Sequence, residues 1–487
     1  MALTAPRGPG LVLDSLAYVG GAESLAHHGT LRVPYAPWSS ADSTAPLAHW
    51  PPGMPAAIAI PILVGAAPLT AARIVLAASA FVTVAATLLL VGEIAGTITG
   101  VLAALAVMAT PAIVQLHVAV WSEPLFLALL VVLLAALVVA PDRTLLAGVL
   151  AAVAVMVRYA AVSLTAAVVI WALLRERDAR RRLRAAALAA LPTIVLLGTW
   201  LLHTSRVRGE VRTAGLYTEG FGDTLREGWL TIVQWSVPFG VRGRMRLVLA
   251  LALLVAVACL LVAAVRRLRG GSERGTVCSP RSPLPEGRLY AAAGLIAICY
   301  AVVVVLSRLG ADRWIPFSYR LLAPLFVLAE VVVAVALAGW IHERRQSPRR
   351  LVAALAVAWI TLSLLVSSLR SFNFMRTGLY FGEARWTESE LMRWVRTSGR
   401  AYALYSNWPT PIYFHAGRPA RELPTAANAD TLRALDSALV ANHGALVVIN
   451  ASAPWQVPAD SLIRALRLMP IADFGEGSVW VPPAPPR

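Results

Sequence analysis

Two carboxylates stand at the edges of apolar segments, where an ionised side chain is costly and is therefore a candidate for a chemical role. Asp14 opens the segment DSLAY before the first apolar stretch, and Tyr18 closes it. Glu123 precedes a proline at the start of a long apolar run. Such carboxylates can act as a general base, orient a hydroxyl group or bind a metal ion. Asp14 could instead cap a helix, and Glu123 could simply begin one near the positive end of its dipole.

Arginines border two other apolar runs, and each stands beside a tyrosine. The pairs are Arg158 with Tyr159 and Tyr319 with Arg320. Charged groups near a membrane are costly and therefore functional candidates, and by topology these arginines could share one pocket with the acids. They could equally anchor helices by reaching the lipid headgroups. His49 precedes two prolines that fix a rigid turn, which favours a structural role for this histidine.

The composition indicates a membrane protein. Of 487 residues, 58% are hydrophobic and 14% are charged, against about 45–50% and about 25% in soluble globular proteins. These values exclude an ordinary cytosolic enzyme and a disordered chain. The net charge of +17 comes from arginine alone, and much of it lies in short linkers at 175–184, 266–288 and 343–350. Basic linkers between apolar runs are typical of cytoplasmic loops, so no nucleic-acid partner is predicted.

The apolar runs predict about ten membrane crossings. Runs of spanning length lie at 70–92, 92–113, 122–140, 185–203, 246–266, 288–307, 320–341 and 350–370. The stretch 144–174 is interrupted at Arg158, and we expect two short helices in a hairpin there. With the basic linkers inside, both chain ends and the candidate residues lie outside. The segment 55–67 is too short for a comfortable crossing, and we expect it in the membrane interface.

This topology leaves an external N-terminus with no preceding span or signal peptide. Either the tail carrying Asp14 is translocated unaided, or the assigned start is late and a first helix is missing. We favour the second explanation.

Three regions follow: an external loop with the acidic motif and interfacial helices (1–69), a transmembrane helical domain (70–370) and a soluble α/β domain outside the membrane (371–487). In the last region, ALYSNWPTPIYFHAG, helical patterning at 431–440, ALVVIN and SVWVPP predict a strand, a helix and two strands. Its expected task is to cap the membrane part or to recognise an acceptor. The fold class is an all-α polytopic membrane protein with a small C-terminal α/β domain.

The chain resembles the GT-C superfamily of integral-membrane glycosyltransferases, in particular the aminoarabinose-transferase and protein O-mannosyltransferase-like group (glycosyltransferase family 39 and relatives). The similar motifs are DSLAY at 14–18, PPG at 51–53, AARI at 71–74, SEPLF at 122–126, RY at 158–159, YRLLAPLF at 319–326 and YSN at 405–407. Ser15 replaces a second acid that is common in the family, and Trp50 replaces the lysine of some relatives. The family's first span, upstream of the acidic loop, is absent.

The resemblance implies an inverting glycosyltransferase that moves a monosaccharide from a polyprenyl-phosphate donor to an acceptor hydroxyl. It would act at the outer face of the cytoplasmic (inner) membrane. Asp14 would be the catalytic base. The donor phosphate would be bound by Arg158, Tyr319, Arg320 and His49.

The same resemblance implies that Glu123 and Tyr18 hold the acceptor or a metal. A metal is not obligatory for this chemistry, and a divalent cation, Mg²⁺ or Mn²⁺, is the alternative. The implied partners are the polyprenyl-phosphate-linked sugar, a lipid, glycan or protein acceptor, and membrane lipids. A transporter or lipid flippase, and a non-catalytic membrane scaffold, are the rival functions. Ionisable groups at the outer ends of apolar runs, rather than at their midplanes, favour the enzyme.

Overall fold

The computed structural model describes a mostly helical chain that divides into two compact units. The described residues are 8–208, 220–237, 243–271, 286–310, 315–343, 346–451, 453 and 456–483. Unit 1 comprises residues 76–117 and 122–372, and unit 2 comprises residues 8–75, 118–121 and 373–483. Among the described residues, six helices are long and apolar enough to cross a membrane, or seven if a bent pair counts as one span.

Helices account for most of the described chain. In order they are α1 Leu13–His28, α2 Gly53–Leu63, α3 Pro68–Ala95, α4 Thr97–Ala109, α5 Pro111–Val118, α6 Glu123–Val139, α7 Thr144–Val157, α8 Val162–Arg175, α9 Ala179–Arg208, α10 Phe221–Ser236, α11 Gly243–Gly271, α12 Glu286–Gly310, α13 Tyr319–Glu343, α14 Gln346–Thr377, α15 Ala384–Thr387, α16 Glu390–Arg396, α17 Pro409–Ala416, α18 Ala429–Ala441 and α19 Ala459–Leu466. The strands are β1 Arg32–Val33, β2 Tyr35–Pro37, β3 Ala45–Pro46, β4 Ala403–Ser406, β5 Ala420–Glu422, β6 Gly444–Ile449, β7 Met469–Phe474 and β8 Gly477–Val481.

The span predicted at 92–113 is not one straight helix: it begins later and is bent. Helix α3 continues to Ala95, and Gly96 takes a positive φ of 91° before α4 begins. Helix α4 then ends at Ala109, and α5 leaves it at an angle of 67°. Pro111 explains this bend, because proline cannot donate the backbone hydrogen bond that would continue α4, although it suits the first turn of a new helix.

The hairpin predicted at 144–174 is present. Helix α7 ends at Val157, Arg158 takes an extended conformation, and α8 begins at Val162 after a single turn of 3₁₀ helix. Both short helices pack against α9. Gly148 allows the closest approach, since a Cβ atom at this position would lie 2.5 Å from the carbonyl oxygen of Ala189 on α9. Small residues at such contacts are typical of packed membrane helices.

Unit 2 is built on a six-stranded sheet of order β2-β5-β4-β6-β8-β7. Strands β2, β5, β4 and β6 are parallel, and β8 and β7 continue the sheet in antiparallel pairing. The hydrophobic cluster under this sheet contains Tyr405, Leu446, Leu435 and Leu439, from β4, β6 and α18. Because β2 pairs with β5, residues from the segment predicted as a separate external loop share one sheet with the C-terminal region.

The C-terminal strand pattern predicted from the sequence needs one correction. The segment ALYSNWPTPIYFHAG forms β4 and then α17, rather than one strand. Pro409 lies at the first helical position, where its fixed φ suits a helix and its missing N–H costs no intrahelical bond. The helix predicted at 431–440 corresponds to α18, and the two later strands correspond to β6 and β8.

Replacing Gly148 should test the packing of α7 on α9. We expect Gly148→Ala to lower the thermal unfolding temperature of the detergent-solubilised protein, because the added methyl group forces the two backbones apart at a cost of about 1–3 kcal/mol. Gly198→Ala is the matched control, since no atom lies within 4 Å of a Cβ there, and removing a helical glycine stabilises by about 0.5–1 kcal/mol. Equal unfolding temperatures for the two variants would contradict this packing.

Burial of Glu422 at the end of β5 raises the pKa of its carboxyl from 4.5 to about 7. The folded chain therefore keeps this proton up to about pH 7, whereas the unfolded chain releases it near pH 4.5. The free energy of unfolding should fall by at most about 3 kcal/mol as the pH rises through this interval. Unfolding temperatures measured between pH 4.5 and 7.5 should show the decline in the wild type and a smaller one in Glu422→Gln. An identical pH dependence in both proteins would refute this assignment.

Candidate active site

Unit 1 holds a buried ionic cluster at the start of α6. The Glu123 side chain is 2% exposed. Its Oε1 forms an ion pair with Arg158 Nη1 at 2.9 Å and accepts a hydrogen bond from Arg320 Nε at 2.7 Å. Arg158 Nη1 also donates to Ser122 Oγ at 3.1 Å. One carboxylate oxygen thus joins two guanidinium groups from distant parts of the sequence. These three candidate residues are brought together by α6, the α7–α8 break and α13.

Local sequence explains the position of the carboxylate. Ser122 is the N-cap of α6, Glu123 is its first helical residue, and Pro124 follows in the first turn. The free N–H groups and the positive end of the dipole at a helix start favour an ionised carboxylate. Glu123 therefore does begin a helix, as the simpler interpretation held, and it carries a specific ionic contact as well.

A helix break presents Arg158 to the cluster. Arg158 is the C-cap of α7. Its backbone is extended, with φ −148° and ψ 129°, so the residue is no longer part of the helix. Tyr159, the next residue, accepts a hydrogen bond from Trp200 Nε1 at 2.8 Å, which ties the break to α9. The Arg158 side chain is 19% exposed, so solvent or a ligand can reach it.

The start of α13 presents Arg320. Tyr319 is the first residue of this helix and Arg320 is the second. The buried Tyr300 of α12 donates a hydrogen bond to the Leu321 carbonyl at 2.8 Å and stacks on Phe126 of α6 at 6.0 Å. These contacts fix the first turn of α13 against α6. The Arg320 side chain is 29% exposed.

The cluster has the electrostatics of an anion site. Two guanidinium charges contact one carboxylate oxygen, and both arginine side chains are partly exposed. Within the described part of the chain, Glu123 Oε2 is buried and has no hydrogen-bond partner. A phosphate oxygen is a good ligand for two fixed guanidinium groups. A divalent cation would bind poorly at this position, because the two positively charged guanidinium groups would repel it.

The remaining candidates lie in unit 2. Asp14 occupies the first turn of α1, one residue after Leu13, and Val12 rather than Asp14 is the N-cap. Ser15 supplies the cap, because its Oγ accepts from Val12 N at 2.9 Å and donates to the Val120 carbonyl at 2.9 Å. Asp14 is therefore not needed to cap the helix and remains a candidate for chemistry.

Tyr18 and His49 meet at one aromatic residue of unit 2. The ring of Trp50 lies 6.5 Å from that of Tyr18 and 4.5 Å from that of His49, both at steep angles. Tyr18 is 2% exposed and packs in the core of unit 2. His49 is exposed beside the proline turn.

Helix α10 and Arg308 were missed in the sequence analysis. Arg308, on α12, is 2% exposed and donates from Nε to Thr224 Oγ1 on α10 at 3.1 Å. Thr231 of the same helix donates to the Phe317 carbonyl at 3.2 Å, just before α13. Helix α10 thereby supports the segment that leads to Arg320. The amphipathic pattern of 221–236 could have revealed this helix, whereas nothing near Arg308 indicates its burial.

No group of three or more histidine, cysteine, aspartate or glutamate side chains that could hold a metal lies within the described ranges. The donors around Glu123 do not suit a divalent ion either, for the electrostatic reason given above.

Comparison with known proteins identifies the fold. No family model and no curated protein matches the sequence. The structure is similar to the crystal structure of ArnT from Cupriavidus metallidurans bound to undecaprenyl phosphate, with a TM-score of 0.54 and 14% identity over 97% of this chain and 94% of that one. An oligosaccharyltransferase from Archaeoglobus fulgidus, solved with Zn and sulfate, gives a TM-score of 0.49 and 11% identity over 91% of this chain and 64% of that one.

ArnT is a GT-C superfamily glycosyltransferase. The chain therefore has the GT-C fold, and the resemblance inferred from its motifs is confirmed at the level of the fold.

Removing the shared carboxylate should destabilise unit 1. We expect Glu123→Gln to lower the unfolding temperature, because it removes the buried negative charge that both guanidinium groups contact. A double-mutant cycle with Arg158→Met should give a coupling energy of about 1–3 kcal/mol.

The exposed pair of Arg175 with Asp142 is the control for this cycle. Asp142→Asn should change stability by less than about 0.5 kcal/mol, since exposed ion pairs contribute little. Additive effects of Glu123→Gln and Arg158→Met would show that the two side chains do not interact in the folded protein.

Proposed function

We propose that this protein is an inverting glycosyltransferase that moves a monosaccharide from a polyprenyl-phosphate donor to an acceptor hydroxyl at the outer face of the cytoplasmic membrane. The observation that carries the proposal is the pair of guanidinium groups held on Glu123 in a chain with the GT-C fold. The undecaprenyl phosphate named with ArnT supports a lipid phosphate as the donor class. The acceptor is a lipid, a glycan or a protein.

The proposed topology has ten crossings with the C-terminal region outside. Six long apolar helices, the bent pair of α4 and α5, and the shorter apolar helices α6, α7 and α8 together supply this number. The arginine-rich linker between α8 and α9 would lie in the cytoplasm. The starts of α6 and α13 and the break after α7 would then lie at the outer end of the membrane region.

The side chains have separate roles in the proposed reaction. Asp14 accepts the proton of the acceptor hydroxyl, and the resulting oxygen attacks the anomeric carbon from the face opposite the phosphate. The bond from this carbon to the phosphate oxygen breaks, so the configuration inverts and polyprenyl phosphate leaves. Arg158 and Arg320 stabilise the negative charge that develops on the departing phosphate. Tyr319 and His49 are proposed as further phosphate contacts, and Tyr18 as an acceptor contact.

Glu123 is proposed to position the two arginines. Its Oε1 fixes Nη1 of Arg158 and Nε of Arg320, which leaves the orientation of each guanidinium plane set before the donor binds. Charges that are oriented in advance need no reorganisation as the transition state forms. The metal role considered from the sequence is not part of this proposal.

A transfer assay with a radiolabelled polyprenyl-phosphate sugar and a membrane-extract acceptor tests the reaction. Asp14→Asn should lower the transfer rate by about 10²–10⁴, because the amide cannot accept the hydroxyl proton. Arg158→Gln and Arg320→Gln should lower kcat/KM for the donor, with the larger loss expected in kcat if the charge is stabilised mainly in the transition state.

Asp142→Asn serves as the control, since this carboxylate is exposed and pairs with Arg175, which has no proposed role in the reaction. Unchanged transfer by Asp14→Asn would remove this residue from the mechanism. Sugar-independent movement of the labelled lipid across the membrane, without transfer, would favour the flippase instead.

A further inference from the structure

Helix α10 packs on unit 1 with one side only. The residues of this side recur at the three- and four-residue spacing of a helix face, and they are Thr224, Gly228, Thr231 and Trp235. A Cβ atom at Gly228 would lie 3.1 Å from the Cβ of Phe317, so the helix lies directly against the segment before α13. The rest of its circumference is free to contact something else.

One exposed side of α10 is apolar. Leu225, Trp229 and Leu230 are 49%, 39% and 47% exposed, and at about 100° per residue they lie within about 140° of the helix circumference. The exposed Arg226 lies between them. A long basic side chain can keep its apolar stem in lipid while its charge reaches the headgroups. This side of the helix is thus compatible with lipid over its whole width.

A second exposed side of α10 is polar. Asp223, Glu227 and Gln234 are all exposed, and they lie within about 40° of one another around the helix axis. A helix that is apolar on one exposed side and charged on another is typical of the boundary between water and an apolar phase.

The C-terminal end of α10 contacts two long helices below their first turns. The rings of Trp235 and Phe326 lie 4.7 Å apart, and Val233 and Val237 form a buried cluster with Ala250. Phe326 is the eighth residue of α13 and Ala250 is the eighth residue of α11, so both lie about 10 Å along the helix from its start. Both helices are long and apolar enough to cross a membrane. The end of α10 therefore lies near the margin of the apolar layer.

Helix α11 brings lipid close to this end of α10. Arg246, in the first turn of α11, donates from Nη2 to the Val237 carbonyl at 2.9 Å, which joins the two helices. Beyond this contact α11 exposes apolar side chains of its own, such as Val248 at 62% and Val255 at 61%. Lipid that covers α11 must consequently lie beside α10.

We propose that α10 is an interfacial helix, with Leu225, Trp229 and Leu230 among the lipids of the leaflet that surrounds the first turns of α11 and α13, and with its polar side in water. The half-exposed Trp229 suits this position, because tryptophan is enriched where membrane and water meet. The inference goes beyond the proposed function, since the lipid contact does not depend on which reaction the protein catalyses.

Nitroxide accessibility tests the lipid contact. The full-length chain, with its three native cysteines replaced by serine, would be spin-labelled at one introduced cysteine and reconstituted into vesicles of phosphatidylcholine and phosphatidylglycerol. The apolar-side variants are Leu225→Cys, Trp229→Cys and Leu230→Cys, and the polar-side variants are Asp223→Cys, Glu227→Cys and Gln234→Cys. Saturation by oxygen, which concentrates in lipid, would be compared with saturation by a nickel chelate, which stays in water. We expect the oxygen-to-nickel ratio to be at least about threefold higher on the apolar side.

Two further sites calibrate the ratio. Val255→Cys lies near the middle of α11 and reports lipid, and Asp430→Cys on α18, where the native side chain is 87% exposed, reports water. A water-like ratio on both sides of α10 would overturn the proposal. Exclusion of both reagents from the apolar side would overturn it too, because that result would mean that protein rather than lipid covers this face.

That this anchorage also positions Arg320 rests on the proposed function. Thr231 of α10 donates to the Phe317 carbonyl, three residues before Arg320. Trp229→Asp, which puts a charge on the lipid side, should raise the KM for the polyprenyl-phosphate donor about tenfold, and Trp229→Phe should restore it. Gln234→Asp, which adds the same charge on the polar side, should keep the wild-type KM.

The two proposals fail in different ways. If the apolar side is lipid-exposed but the wild type transfers no sugar, the interfacial helix stands and the proposed enzyme does not. If the wild type transfers sugar and Trp229→Asp keeps its KM, the anchorage does not position Arg320. A water-like ratio at Trp229→Cys in an active enzyme would refute the interfacial helix alone.

Discussion

The buried carboxylate of Glu123 organises unit 1. Because burying its negative charge is costly, the group is paired with two arginines. An ionised group removed from water must be paired and hydrogen-bonded, or it will be neutralised. Glu123 is paired twice through one oxygen, by arginines that the chain brings from two other helices. Both contacts use Oε1, whereas Oε2 has no hydrogen-bond partner within the described residues, and both arginine side chains are partly exposed. A polar centre that stabilises the fold can in this way also prepare a site for a phosphate.

All three members of this cluster stand at helix ends, and this has a physical reason. A helix interior places its side chains along an apolar wall, whereas its first and last turns lie near water and offer unpaired backbone groups. Glu123 and Arg320 begin helices, and Arg158 lies in the break between two short ones. The close contact at Gly148 keeps α7 against α9, and Trp200 ties the neighbouring Tyr159 to α9, so packing some distance away determines where Arg158 can reach.

The sequence predicts the class of fold well because spanning segments have a simple apolar signal, and the break at Arg158 was visible as a charge within it. The bend at Pro111 was not predicted, because a single proline hardly changes the mean hydropathy of an apolar run. Pairing of Glu123 with Arg158 and Arg320 could not be predicted, because it depends on which helices pack together. The burial of Arg308 could not be predicted for the same reason. Strand β2 was missed for another reason: three residues carry no periodicity, and their partner lies near the other end of the chain.

The pairing of β2 with β5 determines when the sheet of unit 2 can be completed during synthesis. Tyr35 of β2 lies beside Ala420 of β5, so about four-fifths of the polypeptide is synthesised between the two. At about 5–20 residues per second, the ribosome needs roughly 20–80 s to cover this interval. Throughout that time the β2 segment has no partner strand, while the intervening hydrophobic helices enter the bilayer. Completion of the sheet is thus a late event in biogenesis, and nascent chains that stop before β5 would retain an unpaired edge open to chaperones and proteases.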